Sequence, residues 1–367
     1  QGFNHTNYAE IVDTRRVRKL YGSKLNMSVS RLEKFSQCPF AYFIRYGINA
    51  KERKIYKVST PDIGTLMHDV IENFSRYIEG ENISWEQIDE NLCQSLVSAM
   101  IDEKIKDMKG SILNSSPRYK YMTNRIKDIL SKSMEVISKQ ISRGDFEPSA
   151  YELAFGFNGD FPPISIELSS GERVNLIGRI DRVDKLENED ATFVRIIDYK
   201  SGKQDFSLSD IYYGLQIQLL VYLDALLQEI ENTMKKQVNP AAMLYFNMDD
   251  PLISTKKEMT KEEAEKEVLK KLKLKGLVLK DADIIKAMDN LISGYSDIIS
   301  VRVNKDGSPS KNSSVADLED FQLLRKYVRK LIVELCEEML EGNISIKPYK
   351  KSNYTPCGFC DYSPICQ

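Results

Sequence analysis

Two carboxylates and an ammonium stand out between Gly178 and Gly202, in the run G-R-I-D-R-V-D-K-L-E-N-E-D-A-T-F-V-R-I-I-D-Y-K-S-G. Asp181 lies in one β-branched run, Val174–Val183. Asp198 and Lys200 close a second, Thr192–Tyr199, beyond a charged turn at Lys185–Asp190. Two such runs around such a turn predict an antiparallel hairpin. Residues two apart on a strand share a face at about 6.5–7 Å, and the next strand lies about 4.8 Å away. One face of the hairpin can therefore bring two acids and a lysine to one small ligand, which suits a divalent cation with a positive charge beside it. The plainer reading is a solvated ion pair across a hairpin. Three features favour the metal. Asp198 follows the apolar run Val194-Arg195-Ile196-Ile197, Gly202 ends the strand, and Asp181 sits seventeen residues upstream in a matching strand.

A second constellation is sulfur. Cys357-x-x-Cys360-x5-Cys366 places three thiols in a short tail, and Cys38, at a helix–helix junction, is the candidate fourth ligand. Cys93 and Cys336 fall among apolar neighbours in helical patterns and read as core. No secretory signal opens the chain, so a metal or cluster site is the stronger reading over disulfides. Tetrahedral zinc and a 4Fe–4S cluster both accept four cysteines, and spacing does not separate them. Either would staple the two ends of the domain together. Lys200-Ser201-Gly202-Lys203 fails as a phosphate loop, because Ile197 stands where the first glycine is required and Gln204 replaces Ser or Thr.

These residues need elements to position them. Residues 1–27 are polar, without a clear period, and read as linker-like. A capping-box pattern at Ser30-Arg31-Leu32-Glu33 opens a helix, and Pro39 suits the first turn of a second, Phe40–Tyr46. Asp62–Ile78 is amphipathic, with His68 and Glu72 on one flank of its stripe; the other histidine, His5, lies in the tail. Helices are expected at Ser84–Met108 and Pro117–Arg143, then strands at Tyr151–Phe157 and Ile164–Leu168 before the hairpin. Asp210–Ile230 reads as one helix carrying Gln216, Gln218 and Tyr222, and Ala241–Asn247 as a buried strand. Lys256–Asn290 reads as one or two exposed charged helices, Asp297–Val303 as a strand and Asn304–Ser314 as a polar loop. Phe321–Leu340 is a further amphipathic helix.

At 367 residues with 42% hydrophobic and 29% charged content, the chain is that of a globular protein with a large core. No apolar stretch is long enough to span a bilayer, so no membrane partner is expected, and the cytoplasm is the expected location. Gln1 is not an initiator Met, and the expected reading is a piece of a longer polypeptide. A net charge of −2 does not announce a nucleic-acid binder. Basic residues do cluster at Arg15–Lys19, Lys270–Lys280 and Lys347–Lys351, and a local basic groove is all that a nuclease requires.

Taken in order, Cys38-Pro39-Phe40, Gly64-Thr65-x-x-His68-x-x-x-Glu72, Gly178-x-x-Asp181-Arg182-x-Asp184, Asp198-Tyr199-Lys200-Ser201-Gly202, Gln218-x-x-x-Tyr222, Pro348-Tyr349 and the cysteine tail resemble the RecB-like, PD-(D/E)XK nuclease family. The four-cysteine arrangement is similar to its AddB-type branch, the carboxy-terminal nuclease domains of bacterial helicase–nuclease subunits. The resemblance covers residues 28–367, with 256–314 a charged insertion. It implies an α/β, restriction-endonuclease-like core with a mixed central sheet, flanking helices and a terminal iron–sulfur clasp. In that family the positions of His68, Asp181 and Asp198, with the carbonyl of Tyr199, bind Mg²⁺. Lys200 stands where a lysine orients the attacking water or stabilises developing charge, and Gln218 and Tyr222 where helix residues hold the site and its DNA strand. Cys38, Cys357, Cys360 and Cys366 match the ligands of a 4Fe–4S cluster.

The implied activity is Mg²⁺-dependent hydrolysis of single-stranded DNA, on the 5′-ended strand, during double-strand-break repair. The implied partners are an AddA-type helicase–nuclease subunit and the remainder of the chain's own polypeptide. The rivals are a free-standing RecB-like iron–sulfur exonuclease and a non-catalytic DNA-binding scaffold with a structural zinc.

Overall fold

The computed structural model describes residues 9, 13–22, 25–50, 59–107, 116–233, 237–251, 258–352 and 354–366. His5 lies outside them. The stretch expected as linker-like contains helix α1 (Thr14–Tyr21) and most of strand β1 (Leu25–Ser28), which pairs in parallel with residues 174–177. Its polarity misleads because, among the described residues of that stretch, only Val17, Leu25 and Met27 are buried. Helix α2 (Val29–Gln37) starts one residue before Ser30, with Ser28 at its N-cap, so the expected capping box does not form. Helix α3 (Pro39–Tyr42) runs into a π-helical turn, Phe43–Gly47.

Helix α4 (Thr60–Gly80) buries Leu66, Met67, Val70, Ile71, Phe74 and Ile78, the expected stripe, and begins with a true capping box between Ser59 and Asp62. Helices α5 (Glu90–Asp107) and α6 (Pro117–Ser142) pack on each other and on α4. Asp89, not Ser84, accepts from the first turn of α5 (Leu92 N–H, 2.8 Å), so that helix is shorter than expected.

Strands β2 (Glu147–Phe155), β3 (Ile164–Glu167), β4 (Arg173–Glu187) and β5 (Ala191–Lys200) follow. The expected hairpin is β4–β5, antiparallel, with Arg182 opposite Ile197 and Glu187 opposite Thr192. The long β4 serves two neighbourhoods. Its first half lies between β1 and β3, and its second half between β2 and β5.

The expected helix Asp210–Ile230 is broken into α7 (Leu208–Tyr212) and α8 (Gln218–Thr233). The break is at Gly214, which has φ +75° and lies against Ser36, so a side chain there would be strained and would collide with the Ser36 hydroxyl. Strand β6 (Gln237–Asn247) pairs in parallel with β5, and α8 packs across both.

The charged segment after β6 is not purely helical. Helix α9 (Lys261–Lys271), strand β7 (Lys275–Leu279) and helix α10 (Ala282–Met288) replace the expected exposed helices. β7 is antiparallel to β6 inside the sheet, with Gly276, Leu277, Val278 and Leu279 buried, so the expected insertion supplies a core strand. Only isolated bridges, at Ile299, Arg302 and Val303, stand where a strand was expected over 297–303. Strand β8 (Val315–Ala316) closes the sheet order β1-β4-β5-β6-β7-β8, of mixed parallel and antiparallel pairs. Helix α11 (Leu318–Leu340) packs on α8 and α2, and a short α12 (Ser363–Cys366) ends the described chain. The fold is thus α/β, a mixed central sheet with helices on its flanks. No helix among the described residues is long and apolar enough to cross a membrane.

Candidate active site and cysteine cavity

Asp181 and Asp198 stand on adjacent strands of the hairpin, buried at 7% and 4% exposure. The Asp181 carboxylate is pinned from behind, its Oδ2 accepting the Tyr199 N–H at 2.6 Å. Its Oδ1 faces Nδ1 of His68 on α4 at 3.4 Å, so an early helix and a late strand meet here. Glu72, on the same flank, is turned away to Arg76 at 2.9 Å.

Glu152 on β2 completes the group, and sequence reading missed it. Its Oε1 lies 3.7 Å from His68 Nδ1. Tyr151 pairs with Arg182 and Leu153 with Ile180, which sets Glu152 across from Asp181. Glu152 has φ +51°, a conformation unfavourable for a side chain with a Cβ, and Arg76 Nη2 donates to the neighbouring Tyr151 carbonyl at 3.1 Å. The available signal was an acid inside a period-two strand pattern. Donor atoms of His68, Glu152 and Asp181 all lie within 4.8 Å of one another. Facing carboxylates repel, and an imidazole and two acids around one point suit a divalent cation. Burial works against the imidazolium, but Asp181 and Glu152 outweigh it and push the His68 pKa up to about 10.

Asp198 sits beside this group rather than in it. Its Oδ1 accepts from Gln218 Nε2 at 2.8 Å, and its Oδ2 is 2.5 Å from Lys200 Nζ. Burial, then the charge of Asp181, pushes the Asp198 pKa up to about 7 against the pull of Lys200. Burial also opposes the Lys200 charge, but Asp198 outweighs it and holds that pKa above its usual value. Gln218, not Gln216, reaches the acids. Gln216 instead ties the loop before α8, donating to the Asp205 carbonyl at 3.1 Å.

Tyr222, one turn along α8, turns its hydroxyl to the Arg179 N–H at 3.4 Å and stacks on Phe155 at 6.4 Å. It fits only because Gly178 has no side chain: a Cβ there would overlap the tyrosine ring and hydroxyl. Gly178→Ala should displace Tyr222 and cost about 1–3 kcal/mol of stability, read as a lower urea midpoint at unchanged m-value.

Glu33 is the second residue missed. Freed from its expected capping box, it accepts the Ile217 N–H at 2.9 Å and the Gln218 N–H at 3.3 Å, capping α8 from another helix. Burial pushes its pKa up to about 7, against the pull of Lys200 and of those two N–H groups.

Cys38, Cys357, Cys360 and Cys366 line one cavity of about 480 Å³, walled by Phe40, Ala41 and Pro348. Hydrogen bonds already pin the tail to α2 and α3. Phe40 N donates to the Ser345 carbonyl at 3.2 Å, and Tyr349 N to the Gln37 carbonyl at 2.8 Å. Cys93 and Cys336 are buried elsewhere, as expected of core residues.

Residues 26–367 match the PD-(D/E)XK nuclease superfamily. The chain belongs to that superfamily. This nuclease chain is 92% identical over 367 residues to an ATP-dependent helicase/deoxyribonuclease subunit from Clostridium tetani, with all of the chain and 32% of that protein covered. Proteins of the same description from Clostridium botulinum (strain Loch Maree / Type A3) and Acetivibrio thermocellus are 52% and 51% identical, again over the whole chain and 32% of each. The chain therefore spans about a third of the length of these relatives.

Proposed function

We propose that this chain is the divalent-metal-dependent nuclease domain of a helicase–nuclease subunit and hydrolyses single-stranded DNA with Mg²⁺ during double-strand-break repair. The observation that carries the reading is the convergence of His68, Glu152 and Asp181 on one point, with Asp198 and Lys200 at its side. The names of the relatives, each a helicase/deoxyribonuclease subunit, support DNA as substrate and a companion subunit as partner; the family resemblance makes that companion an AddA-type motor.

His68, Asp181 and Glu152 would hold the cation, with Asp198 and the Tyr199 carbonyl adjoining. When bound, it would supply Lewis-acid charge at the phosphate and a more acidic water. Lys200, held at Asp198, would meet charge developing on the phosphoryl oxygens. Gln218, with Glu33 behind it, would keep Asp198 turned toward the site. End-labelled single strands incubated with Mg²⁺ should be shortened, from the 5′ end on the family's pattern, and EDTA should stop the reaction. Absence of cleavage with any divalent cation would overturn the reading.

His68 must lose its proton to ligate a metal. Its pKa of about 10 means that it is charged at neutral pH in the metal-free protein. Metal binding at pH 7.5 should therefore release about one proton, and apparent affinity should rise with pH by up to about tenfold per unit below that pKa. Calorimetry in buffers of different ionisation enthalpy reads the release directly, and His68→Ala should remove it.

The four thiols would hold a 4Fe–4S cluster that clasps the tail to α2. That all four line one cavity supports a shared cofactor, and the family resemblance makes that cofactor a cluster rather than zinc. Anaerobically purified protein should be brown and contain about four irons per chain; a colourless zinc protein would replace the cluster with the structural-zinc alternative.

A further inference from the structure

We infer that a ladder of four tyrosines, Tyr327, Tyr212, Tyr213 and Tyr349, is a stacking track for unpaired nucleic-acid bases, with Lys347 and Lys350 meeting the phosphates. The inference rests on the nuclease reading above and locates how its substrate is held. Tyr212 stacks on Tyr327 at 5.7 Å and 7°, meets Tyr213 edge-on at 5.1 Å, and Tyr213 meets Tyr349 at 5.2 Å. Rings this close to one another are ordinarily core, yet Tyr212 and Tyr213 are 60% and 53% exposed. They come from α7, the loop after it, α11 and the tail, so the ladder is assembled by the tertiary structure and is not one helix's stripe.

The rings are held in place. The Tyr327 hydroxyl donates to the Tyr212 carbonyl at 2.6 Å, and the Tyr349 hydroxyl to Asp210 at 3.3 Å. Lys351 is committed to the same Asp210 at 2.7 Å, which neutralises that acid. Lys347 and Lys350 are exposed and have no side-chain partner among the described residues. Both lie within two residues of Tyr349, so a chain of net charge −2 presents two exposed lysines at the tail end of the ladder. Stacking faces flanked by lysines are what an unpaired strand recognises, since every base has a π-face and every link a charge. Apolar contact with a protein would leave those lysines without a role.

Position agrees. Tyr213 lies five residues before Gln218, which donates to Asp198, and Tyr349 is bonded through its backbone to Gln37, next to Cys38. One end of the ladder thus leads into the helix that reaches Asp198, and the other is tied to the residue before Cys38.

The test uses the full-length protein and a 20-residue oligothymidylate carrying iodouracil. Without divalent cations, irradiation should crosslink it to Tyr212 or Tyr213. With Mg²⁺, Tyr212→Ala/Tyr213→Ala should raise KM at least about tenfold while kcat holds. The Phe/Phe pair should behave as wild type, because stacking uses the ring face. Lys347→Ala/Lys350→Ala should flatten the salt dependence of KM.

If wild type cuts the oligonucleotide but crosslinks elsewhere and the Ala pair keeps its KM, the track is wrong and the nuclease reading stands. If the tyrosines crosslink but nothing is cut, the nuclease reading fails and the track stands. Tyrosines protected from iodination before DNA is added would mean that protein covers the ladder, which also overturns the track.

Discussion

Lys200→Ala is expected to abolish metal-dependent cleavage while leaving the fold and DNA affinity nearly unchanged. Lys200 Nζ lies 2.5 Å from Asp198 and 3.4 Å from Gln218 Oε1, and over the Tyr245 ring at 5.5 Å. Its charge is thus held at the mouth of the acid cluster by three neighbours on three elements. A preorganised cation of this kind acts on charge that appears only in the transition state. Its removal should lower kcat by at least about 10²–10³-fold. Single-turnover cleavage at saturating oligonucleotide reads this, and added Mg²⁺ should not restore the rate, since His68, Glu152 and Asp181, the groups proposed to hold the cation, are left in place. Undiminished cleavage by the purified variant would remove Lys200 from the chemistry.

The largest expected effect on stability is elsewhere on the same hairpin. Asp184 is fully buried between two fully buried arginines. Arg182 Nε lies 2.9 Å from its Oδ1 and Arg195 Nε 2.7 Å from its Oδ2. The Arg195 guanidinium also lies over the Phe146 ring at 4.7 Å, and Arg182 reaches the Tyr199 hydroxyl at 3.4 Å. Asp184→Ala would leave two cations in the core with no anion. The expected loss is about 3–5 kcal/mol, seen as a large fall in urea midpoint. Asp184→Asn should be nearly as damaging, because it keeps the shape and loses the charge. A midpoint within experimental error of wild type would mean that water reaches the arginines. This network begins one strand position beyond Asp181, so it also stiffens the strand that presents the acid.

The β4–β5 hairpin was legible because its cues are local: β-branched runs of period two, a charged turn, and a glycine after Lys200. The four cysteines were legible as a set because three of them share a short spacing and Cys38 was the one remaining cysteine at a helix junction, and the fold brings all four to one cavity. Where local cues conflicted with packing, packing prevailed. Lys275–Leu279 is bracketed by lysines and looked like part of an exposed helix, but pairing with β6 makes it a strand. Gly276 allows the close approach to the Met243 carbonyl that this pairing needs. Gly214 falls inside the helix expected over Asp210–Ile230, but the helix breaks there because only a glycine accepts that backbone against Ser36.

Residue types and short-range periodicity, then, were enough to mark the acids, the lysine and the four cysteines, because strand alternation, turn chemistry and short spacings act over a few bonds. Which groups meet was decided only by the folded chain. Glu152 joins His68 through a left-handed residue in β2, and Glu33 leaves its own helix to cap α8 about 180 residues later. The four tyrosines come together from three distant segments. No local pattern encodes those meetings, since each depends on how the helices pack on the sheet and on which buried donors still lack an acceptor.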